Sequence, residues 1–241
     1  MNTRRLRMVA GPNGSGKTTL LETLLEILGN KFSLGYYLNP DAIEKTLAAT
    51  GDINFNSWGL RVQEQALRLF IRKHQLHELV KGKKFSVRNN VLVVKGKFKP
   101  GYFVSILCDF MRRRWLATGQ SFTFETVMSN HDKVKLLQEA RAKGYRTYLY
   151  YICTNSPLIN RERVAMRVLQ GGHPVLANKI KKRYERSLSF LSEAIQHSCR
   201  AYLFDNSGKV HRLIAEYENA KLIMAARQLP QWIIEFALNK K

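Results

Sequence analysis

Short continuous apolar runs alternate along this chain with longer stretches in which apolar residues recur every three or four positions. That is the pattern of buried strands alternating with amphipathic helices. Leu6-Arg-Met-Val-Ala10 reads as a first strand and Thr18 to Leu28 as the helix after it. Tyr36 to Leu38 reads as a second strand, and Asn39-Pro40 as the cap and first residue of another helix. Ser57 to Val80 has helical periodicity, with Leu60, Ala66, Leu67, Phe70, Leu76 and Leu79 on one recurring face. Tyr102 to Thr118 is helical again and carries Arg112-Arg-Arg114 just before Trp115. Gln120 to Thr126 reads as a buried strand, Asp132 to Lys143 as a helix closed by Gly144, and Tyr145 to Cys153 as the most strand-like run of all. Thr154-Asn-Ser-Pro157 then opens a helix with Asn155 or Ser156 as its cap, and Gly171-Gly-His-Pro174 stops it. A long helix is expected from Val175 to His197, a fifth strand over Ala201 to Asp205, and helix, broken at Pro230, over the remainder. This alternation predicts an α/β fold, a three-layer sandwich around a mainly parallel five-stranded sheet, in a single domain over residues 1–241.

Residues 81–101 break the alternation. Lys81, Lys83, Lys84, Arg88, Lys95, Lys97 and Lys99 stand there without one acid, around Asn89-Asn90. Phe85-Ser-Val-Arg and Val91-Leu-Val-Val on either side read as two strands, so an inserted basic β-hairpin is expected. An insertion of this kind suits gripping a substrate, a partner or nucleic acid, and suits equally a solvated hairpin with scattered lysines.

Between the first strand and the first helix lies Gly11-Pro12-Asn13-Gly14-Ser15-Gly16-Lys17-Thr18-Thr19. It matches G-x-x-x-x-G-K-[ST] at every fixed position, in the strand–loop–helix setting that pattern requires. Glycines let the backbone wrap a polyphosphate, amide N–H groups turn inward, and the following helix offers its positive end. Lys17 is expected to reach the β- and γ-phosphates of a bound nucleotide and the Thr18 hydroxyl to hold Mg²⁺.

Other candidates stand where predicted strands end, which in open α/β sheets is the side of the ligand crevice. Asp41 follows the second strand, and Glu125 with Thr126 closes the next. On the helix after Pro157, Arg163 and Arg167 are i,i+4 partners on one face, and two cations so placed suit a phosphate. The glycine break after that helix makes residues 155–178 a candidate lid.

Composition adds one strong constraint. With 40 Lys and Arg against 18 Asp and Glu, the 241-residue chain carries a net charge of +22. Polyanionic partners follow: nucleic acid, nucleotides or phosphorylated metabolites. No apolar run approaches the roughly 20 residues that cross a bilayer, and no signal-peptide pattern precedes the first strand, so a cytoplasmic protein without membrane contact is expected. Cys108, Cys153 and Cys199 are far apart and lack C-x-x-C spacing, which points to buried thiols rather than a zinc site or disulfides.

Taken together and in order, Gly11 to Thr18, Asn39-Pro-Asp41, Phe124-Glu-Thr126, Arg163-Val-Ala-Met-Arg-Val-Leu-Gln-Gly-Gly-His173 and Phe204-Asp-Asn-Ser207 resemble the zeta-toxin-like branch of the P-loop kinases. The resemblance implies ATP- and Mg²⁺-dependent phosphoryl transfer to a hydroxyl of a small phosphorylated metabolite, such as the nucleotide sugar UDP-N-acetylglucosamine. It implies that Asp41 is the general base, that Glu125 and Thr126 serve the acceptor or metal side, that Arg163 and Arg167 are lid cations, and that Asn206 lies near the adenine. Where well-characterised members carry a second lid arginine in a short Arg/Pro segment, this chain has Gly171-Gly-His173-Pro174. His173 or Arg183 is the candidate substitute. Two other readings stand beside this one: a nucleic-acid-binding kinase or ATPase, motivated by charge and hairpin, and a nucleotide-gated toxin module held by an acidic antitoxin.

Overall fold

The computed structural model describes residues 3–96, 101–172 and 175–238. Lys97, Lys99 and His173 lie outside them. In chain order the regular elements are β1 (Arg5–Ala10), α1 (Lys17–Leu28), β2 (Tyr36–Leu38), α2 (Pro40–Thr50), β3 (Asp52–Asn54), α3 (Glu64–Lys73), β4 (Lys84–Arg88), β5 (Val91–Lys95) and α4 (Gly101–Thr118). They continue with β6 (Phe122–Thr126), α5 (Asp132–Ala142), β7 (Arg146–Cys153), α6 (Pro157–Leu169), α7 (Ala177–Ser189), α8 (Leu191–Gln196), β8 (Arg200–Asp205), β9 (Arg212–Glu218), β10 (Lys221–Ala225) and α9 (Gln231–Ile233). Two units form, one from residues 1–33 and 123–241, the other from 34–122.

The first unit is built on a sheet in the order β10-β9-β8-β7-β1-β6. Its centre is parallel, with β1 beside β7 and β7 beside β8, and register pairs Met8 with Leu149 and Leu149 with Ala201. Leu6, Met8, Leu149, Tyr151 and Leu203 are wholly buried, as expected of strands covered by helices. Ser156 caps α6 by accepting from the Leu158 amide at 3.2 Å, with Pro157 in the first helical position. The sheet exceeds the five strands expected, because residues 212–225, expected as helix, form the antiparallel hairpin β9–β10. Its turn residues Asn219 and Ala220 both have positive φ, 47° and 65°. The turn lacks the glycine that usually announces this conformation, which hides it. Among the described residues beyond Pro230, helix is restricted to α9 and one π turn through Leu238.

In the second unit α4 is the spine, burying Phe103, Leu107, Phe110, Met111 and Trp115 at helical spacing. Trp115 donates its ring N–H to the Trp58 carbonyl at 2.9 Å and stacks on Tyr36 at 5.5 Å. The arginine run ahead of it is no uniform surface patch: Arg112 is buried, and both Arg112 and Arg113 pair with Asp109. The helix expected over 57–80 is shorter. Gly59, in left-handed conformation, ends a 3-10 turn, and α3 spans only Glu64–Lys73 before His74 returns to extended backbone.

The basic hairpin is present as β4–β5, turned by Asn89 and Asn90 at positive φ. It is not a free arm. β3 pairs with β5 to make a three-stranded sheet, and Leu92 is wholly buried. Asn90 accepts from the Val62 amide at 2.8 Å and donates to the Leu60 carbonyl at 2.6 Å, while Glu64 accepts from the Val87 amide at 2.8 Å. That last bond, then the Arg68 guanidinium, holds the Glu64 carboxyl below its usual range.

Candidate phosphate-binding site

β1 delivers the chain into Gly11, and the loop to Gly16 is shaped by glycines at positive φ: 150° at Gly11, 74° at Gly14 and 97° at Gly16. Crowding requires the same residue type. A Cβ on Gly11 would stand 2.0 Å from the Ile152 carbonyl oxygen, and one on Gly14 would stand 2.6 Å from the Asn160 carbonyl oxygen. The loop therefore rests directly on the ends of β7 and α6.

Neighbouring polar groups pin it by its own backbone. Gly11 donates to the Thr126 carbonyl at 3.2 Å, Asn160 to the Asn13 carbonyl at 2.6 Å, and Asn206 to the Ser15 carbonyl at 2.8 Å. Arg183 donates to the Asn13 side-chain oxygen at 3.3 Å. Asn160 is itself wholly buried and accepts from the Thr154 hydroxyl, and Tyr184 donates to the Thr154 carbonyl at 2.6 Å. The sequence reading missed Asn160, Thr154 and Tyr184. The available signal was a polar residue, Asn160, one turn before Val164 on the buried row of α6.

The loop ends where α1 begins. Gly16 provides no side-chain cap, and the first turn of α1 carries no acid. An N-terminus so built leaves its amides for an anion. Lys17 folds back, its ammonium 2.9 Å from the carbonyl oxygens of both Gly11 and Pro12. The Thr18 hydroxyl lies 3.0 and 3.2 Å from the two carboxylate oxygens of Glu125. The Thr126 hydroxyl accepts from the Met128 amide at 3.0 Å, and Thr19 is exposed.

On α6, Arg163 donates to the Gly208 carbonyl at 3.1 Å, and its other terminal nitrogen is buried without a partner among the described residues. The Ser15 hydroxyl is buried in the same condition. Arg167 stands in the last turn of α6, and Gly172 donates to its carbonyl at 2.9 Å. Lys17, Thr18, Glu125, Asn206 and Arg183 are thus drawn together around one loop. Asp41 belongs to the second unit, where it is exposed in the first turn of α2 and its amide donates to the Asn39 cap at 2.9 Å.

A parallel-centred sheet with this loop after its first strand defines the class: a P-loop nucleotide-binding fold. Residues 102–215 match the family model for zeta toxin, and over that span the chain is zeta-toxin-like. No curated protein matches the sequence. Among solved structures, the fold is similar to a chain of the AvrRxo1-ORF1:-ORF2 complex with ATP. The two are 15% identical at a TM-score of 0.54, over 92% of this chain and 60% of that one. It is also similar to a chain of the PezAT chromosomal toxin–antitoxin system of Streptococcus pneumoniae, 14% identical at a TM-score of 0.52 over 100% of this chain and 80% of that one. The protein thus spans less than two thirds of the AvrRxo1 chains it matches. Among the described residues no helix is long and apolar enough to cross a membrane.

Proposed function

We propose that this protein transfers the γ-phosphoryl group of ATP to a hydroxyl of a small phosphorylated metabolite, with a nucleotide sugar such as UDP-N-acetylglucosamine as the acceptor class. The observation that carries the proposal is the uncapped start of α1 beside the Thr18–Glu125 pair. ATP fits the loop: the start of α1 is uncapped, and a buried Ser15 hydroxyl and Arg163 nitrogen have no partner among the described residues. The complex with ATP formed by a structural neighbour supports the same reading. Mg²⁺ fits Thr18 and Glu125, which offer the hard oxygen donors this ion takes.

When bound, Mg·ATP supplies the phosphoryl group and part of the charge compensation. Lys17 exchanges the Gly11 and Pro12 carbonyls for the β- and γ-phosphates. Arg163 and Arg167 offset charge on the moving phosphoryl group, and Arg183 steadies the loop through Asn13. Asp41 takes the proton of the acceptor hydroxyl as its oxygen bonds to phosphorus and the bond to the β-phosphate oxygen breaks. Asn206 holds the loop backbone from the side on which the family places adenine. An acidic antitoxin suits a chain of net charge +22, and the toxin–antitoxin neighbours support such a partner.

Purified protein with Mg·ATP should form ADP faster once acceptor is supplied. Asp41→Ala should lower that stimulated rate by about a hundredfold or more while ATP affinity stays the same. Unchanged stimulated turnover in Asp41→Ala would remove the assigned base.

A further inference from the structure

We infer that the amino-terminal ends of β1, β7 and β8 form a second binding surface, and that its ligand is single-stranded nucleic acid. Successive residues of a strand face opposite sides of the sheet, and here the two sides differ in kind. One carries Leu6, Met8, Leu149 and Leu203, all wholly buried. The other carries arginine and tyrosine. Register sets Arg7 beside Tyr148 and Tyr148 beside Arg200, and one row further on sets Tyr150 beside Tyr202. Arg146 is exposed, and Tyr148, Arg200 and Tyr202 are part-exposed.

The geometry is that of a stacking platform with cations around it. Tyr150 lies beneath the platform, only 7% exposed, and stacks on Tyr202 at 5.1 Å with their planes 15° apart, so it holds that ring while Tyr148 and Tyr202 offer the part-exposed faces. The Arg7 guanidinium lies 5.4 Å from the Tyr148 ring centre and 5.1 Å from that of Phe32, and Arg146 lies 5.8 Å from Tyr148. Arg7 is only 6% exposed, yet neither it nor Arg146 has a carboxylate partner among the described residues. A buried arginine held by aromatic faces and a hydrogen bond to Tyr150 fixes the Tyr148 ring and adds positive potential beneath it. Arg200 is paired with Glu216 at 2.8 Å and Glu218 at 3.1 Å, so these acids bound the cationic surface on the β9 side.

Stacking faces for bases interleaved with arginines for phosphates are what single strands require, because every base offers a π face while duplexes hide theirs. Residues that would read a groove are not needed. The surface lies on a face of the sheet rather than at the strands' carboxyl ends, with Arg7 and Tyr148 four residues before Gly11 in register, roughly 13 Å along β1 from the phosphate loop. It therefore acts separately from the proposed transfer site and gives the net charge of +22 a specific use beyond the basic hairpin.

The test is fluorescence anisotropy of full-length protein with labelled oligo-dT, the matched duplex and heparin as competitor, across salt concentrations. Oligo-dT should bind more tightly than duplex. Tyr148→Leu combined with Tyr202→Leu should weaken that binding about tenfold or more, whereas Tyr148→Phe with Tyr202→Phe should preserve it. Arg146→Gln should lower the salt slope by about one. All variants should keep wild-type ATP turnover, which separates a lost surface from a lost fold, and bromouracil in the strand should photocross-link to Tyr148 or Tyr202. No oligo-dT binding at low salt, equal affinity for duplex, or affinity unmoved by the leucine pair would overturn the proposal. In that last case heparin displacing oligo-dT completely would mark a general polyanion surface instead.

Discussion

The same three strands, β1, β7 and β8, end in two different chemistries. At their carboxyl ends, Gly11, Thr154 and Asn206 make a polar region in which backbone amides and carbonyls dominate and side chains serve mainly to hold them. At their amino ends, arginine and tyrosine side chains form the surface and the backbone is occupied in the sheet. Parallel strands make this division natural: the loops that open helices all leave from one end, so backbone anion sites gather there. The other end must rely on side-chain charge and aromatic area.

The most severe way to break the carboxyl end is Gly11→Ala. The new methyl would stand 2.0 Å from the Ile152 oxygen, so the loop must shift bodily. A misplacement of that order should cost about a hundredfold or more in ATP turnover, measured as steady-state ADP formation. The amino-end tyrosine variants should leave the same assay unaffected, which sharpens the comparison.

Next in size is the Thr18–Glu125 pair. Glu125→Gln should raise the Mg²⁺ concentration needed for half-maximal turnover by about tenfold to a hundredfold, read from a Mg²⁺ titration at saturating ATP. An unchanged requirement would take Glu125 out of the metal side of the site.

The packing beneath the loop sets a smaller, pH-dependent effect. Burial pushes the Cys153 thiol up to about 12 from 9.0, and burial likewise raises Tyr184 and Tyr151 above 10.0. The fold holds the neutral forms, so the unfolded chain loses these protons first. The contribution to stability is full below 9.0 and is lost as pH rises from there through about 12. Urea midpoints should fall across that window, and Cys153→Ala should make the decline shallower.

The smallest effect expected is at the sheet's far edge. Ala220 holds φ of 65°, a conformation that strains any residue with a Cβ, and Ala220→Gly should raise stability by about 0.5 kcal/mol in urea denaturation. A loss of stability would mean that the turn does not govern the β9–β10 pairing.

These two ends were not equally legible in sequence. Gly11 to Thr18 is one continuous segment whose spacing is its chemistry, and Asn39, Pro40, Ser156 and Pro157 announced their helix starts by short-range capping rules. Glu125 could be placed because it closes a strand. Asn160 could not, since its partners Asn13 and Thr154 come to it only through packing. The arginine–tyrosine surface depends on the register among residues near 7, 148 and 202, segments far apart in the chain. The β9–β10 hairpin escaped for a local reason, its Asn219-Ala220 turn having no glycine. The helix expected over 57–80 failed because Gly59 and His74 override its periodicity.

The central claim, phosphoryl transfer from ATP at the loop closed by Lys17 and Thr18, is tested most directly by mass spectrometry of a small-molecule cell extract incubated with Mg·ATP and the purified protein, with Lys17→Ala as control. The account predicts that one metabolite or a small related set gains a single phosphoryl group with wild-type protein and none does with Lys17→Ala. An identical metabolite profile with and without active protein, in extract shown to retain its nucleotide sugars and ATP, would contradict it.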